Sequence, residues 1–85
     1  MESRVVHNLK AGAFVNRFPV ASSNIKSVGY DAVTRTLEIE FEGGSVYQYF
    51  EVPEHVFTGL KTATSPGTFF DSNVKKVGYR LKRIS

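Results

Sequence analysis

At 85 residues the chain has room for one hydrophobic core, because a fold of this size buries only about 60–65% of the surface its unfolded chain exposes. Its 41% hydrophobic and 22% charged content excludes a wholly disordered chain, and the absence of cysteine excludes disulfides, thiolate metal sites and a cysteine nucleophile. The net charge of +3 hides an uneven layout. In residues 1–30, Arg4, Lys10, Arg17 and Lys26 oppose Glu2, a net of +3. In residues 31–54, Arg35 opposes Asp31, Glu38, Glu40, Glu42, Glu51 and Glu54, a net of −5. In residues 55–85, Lys61, Lys75, Lys76, Arg80, Lys82 and Arg83 oppose Asp71, a net of +5. Basic ends thus flank an acidic middle, and a local basic patch sets the attraction for polyanions more than the total does.

Residues 1–21 fit neither a clean helix nor a clean strand: Val5, Val6, Leu9, Ala13, Phe14, Val15 and Phe18 are interrupted by Gly12. They are expected to form an N-terminal arm or an extra strand around residues 13–18. Residues 25–30 read as a strand with Val28 and Tyr30 on one face and Gly29 permitting a bulge or close packing. Residues 36–42 alternate strictly. Leu37, Ile39 and Phe41 point one way, while Thr36, Glu38, Glu40 and Glu42 point the other, as in a strand with one wet face.

Gly43-Gly44 then turns a hairpin spanning residues 36–51, and the register has two solutions. A two-residue type I′ turn puts Tyr47 opposite Glu40 and Tyr49 opposite Glu38, on the wet face. A three-residue loop, Glu42-Gly43-Gly44, pairs Tyr47 with Ile39 and Tyr49 with Leu37, on the apolar face. One residue of slip inverts both tyrosines.

Pro53 suits a helix start, and Val56, Phe57, Leu60 and Ala63 recur at helical spacing over about 53–64, with Gly59 as a weak point. Ser65-Pro66 reads as a cap and first position of a second short helix, about 66–77, with Phe70, Val74 and Val77 as its stripe. Gly78 would stop it, and residues 79–84 alternate as a possible C-terminal strand. The expected fold is α+β, a small antiparallel sheet packed by one or two short helices.

No window approaches the roughly 20 apolar residues of a spanning helix. The N-terminal residues lack a compact apolar run with a small-residue exit, so the expected location is cytoplasmic. Catalytic signatures are sparse. His7 and His55 stand in unrelated contexts, and Glu38, Glu40 and Glu42 read more simply as a solvated strand face than as a hard-cation site. Ser65, Gly67 and Thr68 form a short anion-binding candidate that lacks the length and lysine of a P-loop. No catalytic residue, metal or cofactor is therefore expected.

Binding signals are stronger. Lys75, Lys76, Arg80, Lys82 and Arg83 set five cations within nine residues, with Tyr79 among them. Such cations neutralise phosphates, and an aromatic ring among them can stack on an unpaired base. Tyr47 and Tyr49 would add a stacking platform if exposed, although Glu38 and Glu40 beside them would then repel phosphate.

From Ser23 to about Ile84 the residues follow a recognisable pattern. It comprises Ser23-x-Ile25, Val28-Gly29-Tyr30-Asp31, Leu37-x-Ile39-x-Phe41 with Gly44, and Tyr47-x-Tyr49 with Val52-Pro53. Ala63-x-Ser65-x-Gly67-x-Phe69-Phe70-Asp71, Val74-Lys75 and Tyr79 complete it. Residues 22–85 thereby resemble the KTSC domain, a short module named for its occurrence at the C-terminus of some lysyl-tRNA synthetases. The resemblance implies a stand-alone α+β module suspected of RNA binding, with Tyr47, Tyr49, Ser65, Gly67, Asp71, Lys75 and Tyr79 carrying the family pattern. Two positions depart from it: Asp71 stands where the family usually has Asn, and Lys75 where it has Arg, which would make a phosphate contact less directional. The expected function is a non-enzymatic module binding RNA, tRNA or single-stranded, through the basic C-terminal segment. The alternative is a protein-interaction module that dimerises through a sheet edge or the N-terminal arm.

Overall fold

The computed structural model describes residues 16–85. Arg4, His7, Lys10 and the first part of the expected N-terminal strand lie outside the described residues. Five antiparallel strands form a meander in the order β1-β2-β3-β4-β5. They are β1 (Arg17–Pro19), β2 (Ile25–Asp31), β3 (Thr36–Phe41), β4 (Val46–Tyr49) and β5 (Leu81–Arg83). Helix α1 (Glu54–Thr62) and the short α2 (Pro66–Phe70) pack against one face, and α2 runs on into a single π turn, Asp71–Lys75. The fold is α+β, as the hydrophobic periodicities require.

The hairpin between β3 and β4 adopts the three-residue loop. The Phe41 N–H donates to the Ser45 carbonyl at 2.8 Å, and the Gly44 N–H donates to the Phe41 carbonyl at 3.0 Å. Gly43 and Gly44 both sit at φ +101°, where any side chain would be strained. Ile39 is consequently opposite Tyr47 and Leu37 opposite Tyr49. Both tyrosines share the inner face with Val28, Tyr30, Phe41 and Leu81. The bulge in β2 falls between Ile25 and Ser27, not at Gly29.

The outer face of β3 is not wet as its alternation suggested. Glu38 is only 3% exposed, and Thr36 is buried as well. On a central strand, polar side chains from both neighbours close in laterally. Gln48 Nε2 donates to Glu38 Oε1 at 3.0 Å, Arg17 Nη1 stands 3.2 Å from Glu38 Oε2, and Ser27 Oγ donates to Glu40 Oε1 at 2.8 Å. Burial pushes the Glu38 carboxyl above its usual range, opposed by the Gln48 hydrogen bond and the Arg17 charge.

The helices dock at two fixed points. Val52, fully buried, donates its N–H to the Arg35 carbonyl at 2.9 Å and accepts the Tyr30 hydroxyl on its own carbonyl. Tyr30 stacks on Phe57 of α1, with centroids 5.4 Å apart and 14° between planes. Val56, Phe57 and Leu60 are the buried stripe of α1. Gly59 lies on its α2-facing side, and a Cβ built there would meet Phe69 Cζ at 2.2 Å. The glycine that weakens the helix as a sequence is thus the seat of an aromatic ring. The neighbouring Phe70 turns the other way, edge-on to Phe41 at 5.6 Å and to Tyr49 at 5.7 Å. The second helix is shorter than its periodicity predicts. The Lys76 N–H bonds to the Asp71 carbonyl at 3.1 Å, a five-residue step, and the chain leaves through Gly78 at φ +91°.

Two outcomes follow from these contacts. Gly59→Ala should gain up to ~1 kcal/mol of helix propensity but lose ~1–3 kcal/mol to overpacking against Phe69, a net destabilisation in urea titration. A rise in midpoint would mean the ring does not sit there. For Glu38 the folded state binds the proton more tightly than the unfolded state, so stability should fall as pH rises from the ordinary carboxylate range toward neutrality. Glu38→Gln should therefore be more stable relative to the parent at pH 7 than at pH 4, and an equal difference at both would refute the account.

Candidate functional site

Between the inner face of the sheet and the α2–π segment lies a cleft of about 960 Å³. Its floor is Phe41, Tyr47, Tyr49 and Leu81 from β3, β4 and β5. One wall is residues 64–68 with Phe70, Asp71, Val74 and Lys75, and the ends are closed by residues 21–24 and by Gly78 and Tyr79. The π turn matters to this wall, since it brings Asp71, Val74 and Lys75 to the same opening. Such turns recur at functional sites.

The floor is aromatic and hydroxylic. Tyr49 is buried and Tyr47 half-buried, with Phe41 edge-on to Tyr47 at 5.8 Å. Burial, and then the neighbouring Tyr47, raise the Tyr49 phenol above its usual range, so it is a protonated donor at neutral pH. The register that turns these tyrosines inward also turns Glu38 and Glu40 outward. The conflict between a tyrosine platform and adjacent carboxylates therefore does not arise, because the pleat separates them.

The expected site residues divide. Tyr47, Tyr49, Ser65, Gly67, Thr68, Lys75 and Tyr79 all line the cleft. Arg83 pairs with Tyr47 and shares its face. The other cations scatter. Lys76 Nζ lies 3.8 Å from Asp71 Oδ2, Arg80 Nη2 lies 3.9 Å from Glu51 Oε2 and its guanidinium covers the Phe50 ring, and Lys82 pairs with Gln48 on the opposite face. The segment is basic as a sequence but not a single patch in space. Ser65 is the N-cap of α2 with Pro66 following it, as the sequence suggests, but its Oγ donates to Thr68 Oγ1 at 3.0 Å and makes no side-chain hydrogen bond to the helix backbone. Residues 21–24 also line the cleft. Their role comes from Ser22, whose Oγ accepts the Asn24 and Ile25 N–H groups at 3.1 and 3.2 Å and approaches Gly67.

His55 is exposed in the first turn of α1 and lies outside the cleft. Among the described residues no cluster of His, Asp or Glu could hold a metal ion. Also among them, no helix is long and apolar enough to cross a membrane.

Residues 21–79 match the KTSC domain family. A KTSC domain protein from Yersinia pestis has a crystal structure with a TM-score of 0.74 and 44% identity, covering 85% of this chain and 100% of that one. A protein of Tsukamurella paurometabola is 46% identical over 57 residues, 67% of this chain and 85% of that protein. A lysine–tRNA ligase of Nostoc punctiforme is 47% identical over 53 residues, 62% of this chain but only 9% of the ligase. The matched stretch carries β2 through the π turn and almost every residue lining the cleft. The chain belongs to the KTSC domain family.

Proposed function

We propose that this domain is a non-enzymatic module that binds RNA in single-stranded form, using the cleft for bases and its flanking cations for phosphates. One observation carries the reading: Tyr47, Tyr49, Tyr79 and Lys75 converge on one cleft whose sheet floor, among the described residues, holds no carboxylate. Aromatic rings stack on unpaired bases at ~1–3 kcal/mol per base, and cations beside them supply a salt-dependent share of affinity. The presence of a similar domain in lysine–tRNA ligases supports an RNA partner, tRNA among them, and a cytoplasmic setting. The cations that matter are then Lys75 and Arg83, with Arg80, Lys82 and Lys76 contributing at longer range. The alternative of a dimer through a sheet edge finds less support, because the edges carry Arg17 on one side and Lys82 and Arg83 on the other, charges that discourage self-pairing.

Fluorescence anisotropy with a short single-stranded RNA and with a tRNA, titrated with salt, tests this. Affinity should fall linearly on a log–log plot, and Lys75→Glu with Arg83→Glu should weaken binding at least ~10-fold while circular dichroism is unchanged. No binding at ~50 mM salt, or affinity indifferent to the double variant, would overturn the reading.

A further inference from the structure

Tyr49 presents a polar group that no other described residue uses. It is 7% exposed and lines the cleft, yet its hydroxyl makes no hydrogen bond with any other described residue. The fold is able to satisfy a phenol elsewhere, since Tyr30 donates to the Val52 carbonyl. Buried hydroxyls ordinarily find a partner, and one left open at the bottom of a cleft is available to a ligand. The Tyr47 hydroxyl beside it and the Tyr79 hydroxyl at the end of the cleft are likewise without a hydrogen bond to any described residue.

We propose that the cleft seats one unpaired nucleotide, its base edge on the Tyr47 and Tyr49 hydroxyls and its phosphate toward Lys75. This rests on the RNA-binding reading and narrows it. A phenol both donates and accepts, which suits a base edge that carries donors and acceptors together. A ligand that was only an anion would call for several cationic donors, and among the described residues Lys75 is the one cation lining the cleft. Asp71, the one acid among the described lining residues, is faced by Lys76. The volume of about 960 Å³ lies within the range of roughly 300–1,000 Å³ that small-ligand sites occupy. A base within a duplex has its edge already paired and both faces stacked, so it cannot reach a floor residue this deep. The site therefore distinguishes a free end or a looped-out nucleotide from a helix.

The test uses the full chain. Amide chemical shifts are followed during titration with the four nucleoside 5′-monophosphates, with ribose 5-phosphate and with inorganic phosphate. In parallel, affinity is measured for a blunt RNA duplex and for the same duplex with a single-stranded 3′ overhang. Monophosphates should shift amides of β4 and residues 65–75, while ribose 5-phosphate and phosphate should not reproduce the β4 shifts. The overhang should bind at least ~10-fold tighter than the blunt duplex, and Tyr49→Phe should reduce that affinity ~3- to 10-fold, as loss of one hydrogen bond does, with an unchanged melting midpoint. Equal affinity for blunt and overhang RNA, or identical shifts from ribose 5-phosphate, would overturn the nucleotide seat while leaving salt-dependent RNA binding in place. Absence of all RNA binding would overturn both.

Discussion

Between Phe41 and Ser45 the chain reverses in three residues, two of them glycines at φ +101°, and the sidedness of the whole sheet follows from that count. Side chains alternate with a period of two, so a two-residue turn would have exchanged the faces of every residue in β4. Tyr47 and Tyr49 would then have met Glu40 and Glu38 in one acidic surface. With the loop as it is, aromatic and apolar groups face the helices, and Glu38, Glu40 and Gln48 face away. A side chain at Gly43 or Gly44 would be strained whatever the surrounding space.

The same pleat sorts the charges. Lys82 and Arg83 are adjacent in sequence and lie on opposite faces of β5. Arg17 on β1 reaches the outer face and meets Glu38. Acidic groups from the middle of the chain are thus answered by cations from its ends on the side away from the cleft, while Lys75 remains at the opening.

What the sequence disclosed and what it concealed differ in kind. Strict alternation in β3 and helical spacing at Val56, Phe57 and Leu60 are local patterns, and they located those elements within a few residues. The resemblance across residues 23–84 placed Tyr47, Tyr49, Ser65, Gly67, Lys75 and Tyr79 in a common pattern, and folding brings them to one cleft. The register, by contrast, depended on a loop count that two glycines satisfy either way. The burial of Glu38 depended on Arg17 and Gln48, which lie on different strands. Gly59 read as a defect because its partner, Phe69, is in another helix. The basic run from Lys75 to Arg83 looked continuous because sequence proximity does not reveal which face each residue takes.

The meander also grades the molecule by how firmly each part is held. The core strands β2, β3 and β4 each have neighbours on both sides, whereas β5 is three exposed residues paired along one edge only. That strand and the approach to it carry Gly78, Tyr79 and Leu81, one boundary of the cleft. Local opening in proteins draws on segments with little buried apolar surface, so this boundary should detach at a fraction of the global unfolding free energy. In hydrogen exchange, the Phe50 amide, bonded to the Arg80 carbonyl at 2.9 Å, should then exchange well ahead of amides in the β2–β3 ladder. Equal protection at both places would show that the edge does not open by itself. A ligand bridging the floor and this loosely held edge would raise its protection, making occupancy measurable as a gain in rigidity.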